Sequence, residues 1–367
     1  MAGLAIKMAL LRGLIDGERA YTGPAYAIVD LTRRCNSVCL GCFTHCIQPR
    51  SPSPGDQAVQ DIPFSLAQRV GKELARLGTS EVVLLGEGEP LLHDRYFDII
   101  TEMKKVGLKV QSFTNGILLD EGASQAIVET AQDILNVTFW AVSAKEHETW
   151  HPGVNLGAME RRRQGVRRVI HKRNMANQKL PKVNLQMPLN RLNFGNIEDR
   201  VRLVLESGCD TVTFAFFRDW GGQHQDQCLL PEDEPGIRES LLWAKRQLES
   251  ASIGHNIDDY LIRLKYGGDA WLHVPCYAGW YTTYVKVDGS ILACGHCTLV
   301  MGSLNSNSFA EIWNSAPYRE FRRRTPHRES LLSMKGQCDC PNCCLWRDNC
   351  RVHRMFRCFR PLLRWKA

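Results

Sequence analysis

Cysteine is the residue whose type and spacing carry most of the chemistry in this chain. Of the 367 residues 15 are cysteine, and they are not scattered. Cys35, Cys39, Cys42 and Cys46 share one short segment, a second group begins at Cys276, and only Cys209 and Cys228 lie between. Disulfides are rare in a reducing compartment. The N-terminal MAGLAIKMALLRGL carries Lys7 and Arg12 and no export cleavage site, so it reads as an amphipathic helix of a cytoplasmic protein. Clustered thiols there point to metal ligation or redox chemistry. In RRCNSVCLGCF, three residues separate Cys35 from Cys39 and two separate Cys39 from Cys42. Three thiolates on a short loop can hold three irons of a cubane cluster and leave the fourth open to a chelating molecule. With Cys46 or His45 as a fourth ligand, the same thiols would make a zinc knuckle.

The later cysteines form a second constellation. Cys276 and Cys294 flank YVKVDGSILA, in which Asp288-Gly289 reads as a hairpin turn that brings the two thiols together. Cys340 and Cys343 form a CxxC pair amid Cys338 and Cys344, with Cys350 and Cys358 beyond. Such a set could hold an iron–sulfur cluster or a purely structural zinc ion.

Together these residues resemble the radical S-adenosylmethionine (SAM) superfamily. Cys35, Cys39 and Cys42 match its CxxxCxxC signature on the loop after a first strand. Gly86-Glu87-Gly88-Glu89-Pro90 resembles its GGEP turn, with Glu87 in place of the first glycine. The resemblance implies a 4Fe-4S cluster whose fourth iron is chelated by the methionyl group of SAM. It also implies reductive cleavage to a 5′-deoxyadenosyl radical and hydrogen abstraction from a substrate. Glu89 would accept hydrogen bonds from the SAM ammonium, with glycine letting the backbone approach the ligand. Asn115, Ser143 and Asn190, at the third, fourth and fifth strand ends, would be further cofactor contacts. The family usually has an aromatic residue before its third cysteine; here it is Gly41, with Phe43 following. The C-terminal part resembles the SPASM/twitch module, and residues 302–322 fit its linker. One auxiliary 4Fe-4S cluster on Cys276, Cys294, Cys340 and Cys343 is then expected. Cys297, Cys350 and Cys358 are candidates for a second, with Cys338 and Cys344 spare, and Cys46 is expected to be a free thiol.

The elements that must position these residues are legible as alternation. AYAIVDL, EVVLL, KVQSFT, NVTFWAVSA, KVNLQMPLN and TVTFAFF read as strands, separated by segments of helical periodicity such as 64–78 and 155–173. Strands alternating with helices imply a parallel sheet with right-handed crossovers and a site at the C-terminal strand ends. The expected fold class is α/β, a partial (β/α)6 TIM-type barrel followed by a small cysteine-rich SPASM/twitch domain. The expected boundaries are 1–24 for an N-terminal extension, 25–230 for the core, 231–270 for a helical connector and 271–367 for the module with its basic tail.

The rest of the sequence narrows function by exclusion. No apolar stretch is long enough for a membrane span, and a net charge of +7 is mildly basic, fitting an anionic substrate or cofactor or a plain solvated surface, so neither membrane span nor nucleic acid is expected. The arginine-rich helix around Arg161, Arg162, Arg163, Arg167, Arg168, Lys172 and Arg173 spreads its charge around the axis and reads as a solvated outer helix. His147 and His151, past the fourth strand, read as solvated or structural. The tail RVHRMFRCFRPLLRWKA reads as a short helix docked on the barrel. About 24 residues precede the first strand, too few for a leader-peptide recognition domain there. The reading is therefore a radical SAM oxidoreductase that oxidises or rearranges a small metabolite, such as a sugar or natural-product precursor. It is served by a flavodoxin or ferredoxin electron donor. The alternatives are a peptide-modifying enzyme and a non-catalytic iron–sulfur or zinc binding protein.

Overall fold

The structure is a computed structural model and describes residues 2–42, 59–219, 224–266, 271–334, 336–338, 340 and 343–362. Cys46, His45 and Phe43 lie outside the described residues, as does the end of the tail. Six strands form the expected parallel run: β1 (Tyr26–Asp30), β2 (Glu81–Leu85), β3 (Lys109–Thr114), β4 (Ile134–Thr138), β5 (Lys182–Leu189) and β6 (Thr211–Phe216). Between them run helices that include Phe64–Arg76, Tyr96–Lys105, Glu121–Glu129, Gly157–Met175 and Ile197–Ser207. The first of these shows why: Leu66, Val70 and Leu74 recur on one face and are buried against the sheet. The N-terminal segment is the helix Ala2–Asp16.

Two features depart from the expected plan. The segment read as a helical connector contributes a seventh strand, β7 (Gly254–His255), which pairs parallel to β6 between the helices Glu234–Ser250 and Ile257–Tyr266. The cysteine-rich module is continuous with the barrel sheet. Its strand β8 (Thr282–Val285) pairs parallel to β1, and β9 (Ser290–Leu292) and β10 (Val300–Ser303) add antiparallel strands beyond it. The sheet thus has ten strands, ordered β10-β9-β8-β1-β2-β3-β4-β5-β6-β7, with β10 and β7 at its edges.

Alternate residues of each strand face opposite sides. Ala27, Val29, Val82, Leu84, Leu135, Val137, Val183 and Leu185 face the helices and make the cores. The inner face carries Ile28, Val83 and Tyr284 on one side. On the other, Asn184 donates to Asn136 at 2.9 Å and accepts from Thr211 at 2.8 Å. The lumen is thus half apolar and half a bonded polar ladder.

The arginine-rich helix Gly157–Met175 is not the solvated helix expected. Arg162 and Arg173 are buried, and Arg163 and Arg168 donate to the Val142 and Leu119 carbonyls. Arg173 pairs with Asp210 at 2.5 Å. The long side chains reach past the helix to tie down neighbouring loops, which a count of charges around the axis does not detect. The tail docks as expected through the helix Trp346–Met355, which buries Val352, with Phe356 buried after it.

Candidate active site at the strand ends

The GEGEP turn is fixed to the segment that leads into the cysteines. Gly88 donates its N–H to the Thr32 carbonyl at 2.9 Å, and Glu89 donates to the Arg34 carbonyl at 2.8 Å. The two backbones run so close that a Cβ on Gly88 would fall inside the Arg34 carbonyl, and one on Gly86 would sit 2.8 Å from the Thr32 oxygen. Glycine is required here for contact between two loops of the protein, whereas the sequence suggested approach to a ligand. Pro90 opens a short turn of 3-10 helix and is buried.

Glu89 is 2% exposed and knits the second and third strand ends together. Its Oε1 accepts from the Thr114 hydroxyl at 2.7 Å and the Leu91 N–H at 3.2 Å, and its Oε2 accepts from the Asn115 N–H at 2.6 Å. A carboxylate offers about four acceptor positions, so one remains for an ammonium. Burial raises its pKa, and these bonds and the nearby Arg162 partly offset the rise. Asn115 reaches back to the cysteine loop, donating from Nδ2 to Asn36 Oδ1 at 2.7 Å. Glu87 faces elsewhere, pairing with Arg33 at 2.9 Å and with Lys286 of the module at 3.3 Å. Its carboxylate links barrel to module.

The cysteine loop packs on the helix Ala144–Trp150, with the Leu40 N–H donating to the Trp150 carbonyl at 3.1 Å. Cys35 is exposed, and Cys39 and Cys42 are half-buried. Burial pushes the Cys39 thiol up to about 12, opposed by Ser37 and Arg162. Gly41 is where the Trp140 ring rests, and a Cβ there would overlap that ring. Trp140 lies past β4, stacks on Trp150 at 5.7 Å and meets Phe217 edge-on at 6.1 Å. The space beside Gly41 is filled by an aromatic ring from another part of the chain.

Ser143 lies five residues beyond the last residue of β4 and caps the helix Ala144–Trp150, accepting from the Glu146 N–H at 3.3 Å. Its placement at a strand end is thereby corrected: the strand is shorter than NVTFWAVSA suggested, because Phe139 to Val142 turn to carry Trp140. Asn190 does follow β5. It is fully buried, its Oδ1 accepts from the Leu192 N–H at 2.9 Å, and its Nδ2 has no partner among the described residues.

Three site groups gave no distinct signal in the sequence. Arg162 is fully buried; its Nε donates to the Asn115 carbonyl, and its Nη1 has no partner among the described residues. Burial lowers its pKa, and the neighbouring Cys39 and Glu89 oppose that shift. Asp30 ends β1, fully buried, with Oδ1 accepting from the Tyr284 hydroxyl at 2.7 Å and Oδ2 unpartnered. Burial and the neighbouring Glu87 push it up to about 8. His151 is 1% exposed, with Nδ1 3.3 Å from Cys39 Sγ and 3.5 Å from Ser37 Oγ. Its ring lies 4.8 Å from that of His147, which is also buried, so neither is solvated.

In the module, Cys276, Cys294, Cys340 and Cys343 line one cavity with Phe321, Leu331 and Met334. Burial pushes the Cys276 and Cys294 thiols well up, and neighbouring cysteines add to it, Cys343 and Cys340 for Cys276 and Cys276 for Cys294. Arg263 and Arg218 from the barrel donate to the Cys343 carbonyl at 2.6 Å and 3.3 Å, placing cations beside the thiols. Cys350 is half-buried and pushed up to about 11, Cys344 and Cys358 are exposed, and Cys297 is joined to Cys338 in a disulfide. Among the described residues no three Cys, His, Asp or Glu groups close around a single metal ion.

A search of family models matches residues 29–204 to the "Radical SAM superfamily" and residues 276–344 to SPASM, the "Iron-sulfur cluster-binding domain". The chain belongs to the radical SAM superfamily. It carries a SPASM domain, and its cofactors are a 4Fe-4S cluster, SAM and auxiliary iron–sulfur chemistry. It is 24% identical to the "AdoMet-dependent heme synthase" of Methanosarcina barkeri, over 83% of this chain and 87% of that protein. It is 22% identical to the "PqqA peptide cyclase" of Gluconobacter oxydans, over 82% of this chain and 80% of that protein. Among solved structures, Streptococcus suis SuiB bound to S-adenosylmethionine superposes with a TM-score of 0.63 at 14% identity, covering 88% of this chain and 72% of that one. Native anSMEcpe with bound AdoMet gives 0.64 at 14% identity, covering 92% and 97%. These confirm the fold of this radical SAM protein. Among the described residues no helix is long and apolar enough to cross a membrane.

Proposed function

We propose that this radical SAM protein abstracts a hydrogen atom from a peptide substrate and that its SPASM domain serves an oxidative outcome. Cys35, Cys39 and Cys42 hold the SAM cluster; Cys276, Cys294, Cys340 and Cys343 hold the auxiliary one. When bound, the SAM cluster and SAM supply a 5′-deoxyadenosyl radical. The chain's own residues bind and orient. The remaining acceptor position of Glu89 would take the ammonium of SAM, and Nη1 of Arg162, buried with no partner among the described residues, would take its carboxylate. Trp140 offers the adenine a ring face, and Asn190 Nδ2 a donor. Electrons come from a flavodoxin or ferredoxin.

The observation that carries the peptide reading is the open sheet. With β7 and β10 as edges, the sheet is not closed on all sides, which leaves a side by which an extended chain can reach the strand ends. The likeness to the PqqA peptide cyclase over 82% of the chain supports it. A small-molecule substrate is the second reading, favoured by the likeness to the heme synthase. The test is deuterium transfer. Short peptides encoded beside the gene, made with perdeuterated residues, should pass deuterium into 5′-deoxyadenosine. No transfer from any of them, with transfer from a deuterated small molecule of the same cells, would overturn the peptide reading.

A further inference from the structure

His151 is buried to 1% exposure beside a proposed cluster ligand. Its Nδ1 lies 3.3 Å from Cys39 Sγ and 3.5 Å from Ser37 Oγ, and Ser37 Oγ is 3.6 Å from the same sulfur. The Val38 backbone is also close to the ring. His147 packs against the other side at 4.8 Å between rings, and Arg162 is the nearby charge. The Nε2 atom is buried without a partner.

A packing residue would be apolar here, since an imidazole loses water on burial and regains it only through hydrogen bonds. Of the side chains on offer to Nδ1, Cys39 Sγ at 3.3 Å is nearer than Ser37 Oγ at 3.5 Å. A cysteine sulfur bound to iron carries no proton, so a hydrogen on this contact has to sit on Nδ1. Placing it there leaves Nε2 as a bare lone pair, which costs less when buried than an N–H with no acceptor. We infer that His151 donates an Nδ1–H hydrogen bond to the Cys39 thiolate and sets the reduction potential of the SAM cluster. The inference rests on Cys39 being a ligand of that cluster. Reduction adds negative charge to the cluster and its sulfurs, so a donor to one sulfur favours the reduced state. His151 is thus a positioning residue that acts through Cys39 and touches neither SAM nor substrate.

The test is a redox titration of the anaerobic holoenzyme followed by electron paramagnetic resonance, reading the signal that changes when SAM is added. His151→Phe, which keeps a ring and removes the donor, should lower the equilibrium constant for reduction about tenfold, or 59 mV for a one-electron couple. His151→Asn, whose amide nitrogen takes the place of Nδ1, should restore most of it. In wild-type enzyme labelled with 15N-histidine, pulsed measurements on the reduced cluster should detect one histidine nitrogen. A fully loaded His151→Phe enzyme with an unchanged midpoint overturns the inference. If His151→Phe fails to hold iron, the labelled wild type decides, and an absent nitrogen coupling overturns it. Failure of the ligand assignment looks different: the iron content would then be unchanged in Cys39→Ala.

Discussion

Replacing Gly88 by alanine isolates the contact on which the site geometry depends. The added methyl group meets the backbone carbonyl of Arg34, and backbone cannot swing aside as a flexible side chain can. The turn must therefore lift from the segment 32–34 and give up the bonds Gly88 N–H to Thr32 at 2.9 Å and Glu89 N–H to Arg34 at 2.8 Å. Two buried backbone bonds contribute ~1 kcal/mol each, and overpacking adds ~1–3 kcal/mol, for a loss of ~3–5 kcal/mol. At ~2–4 °C per kcal/mol for a domain of this order of size, the thermal midpoint of the anaerobic holoenzyme should fall by ~6–20 °C. Glu89 moves with the turn, so SAM binding, measured by equilibrium dialysis below the melting range, should weaken more than tenfold. Gly122→Ala is the control. It lies exposed in the helix Glu121–Glu129, where the nearest atom to a new Cβ is 3.7 Å away. It should be neutral or stabilise by up to ~1 kcal/mol. If Gly88→Ala melts within the error of wild type and binds SAM as tightly, the claim that this turn is held by backbone contact is wrong.

Asp30 sits at about 8 in the folded chain against 3.8 unfolded, so it stays protonated when folded while the unfolded chain loses the proton. Stability from this group is complete below about pH 4 and declines as pH rises to about 8. Between pH 6 and 8 the wild type should lose about 2 kcal/mol, from ~1.36 kcal/mol per pH unit for one proton. Asp30→Asn, which still accepts from Tyr284, should show no such slope in urea melts. Arg162→Met should leave iron content unchanged and raise the Kd for SAM about tenfold or more, since hydrogen bonds to charged groups contribute ~1.5–3 kcal/mol; an unchanged Kd would remove Arg162 from the site. Cys276→Ala with Cys294→Ala should lower bound iron by about four atoms and leave some uncoupled SAM cleavage while substrate turnover stops. Turnover that persists would make the auxiliary site structural only.

The cysteine spacing, the GEGEP turn and the six strands were legible in sequence because each is local. A thiol loop, a glycine turn and an apolar run are written in consecutive residues. Relations between distant segments were not legible. Gly41 looked like a missing aromatic group until Trp140, far along the chain, proved to fill its space. Arg162 is one arginine in an arginine-rich helix, and its full burial and its reach to the Asn115 carbonyl depend on a segment 47 residues away. β8 joins β1 through a pairing such as Ile28 with Tyr284, which no local periodicity encodes. Ser143 was misplaced because Phe139 to Val142 are apolar enough to pass for strand yet turn away to carry the tryptophan. His151 looked like a loop histidine, and its burial comes from the cysteine loop folding over it.

The claim beneath all of this is that Cys35, Cys39 and Cys42 hold a cluster that opens SAM. The direct measurement is 5′-deoxyadenosine formed by anaerobically reconstituted protein with dithionite and SAM. The wild type should form it, and Cys35→Ala, Cys39→Ala and Cys42→Ala should each form none while remaining folded. Equal yields from wild type and the three variants, or none from an iron-loaded wild type, would contradict the account.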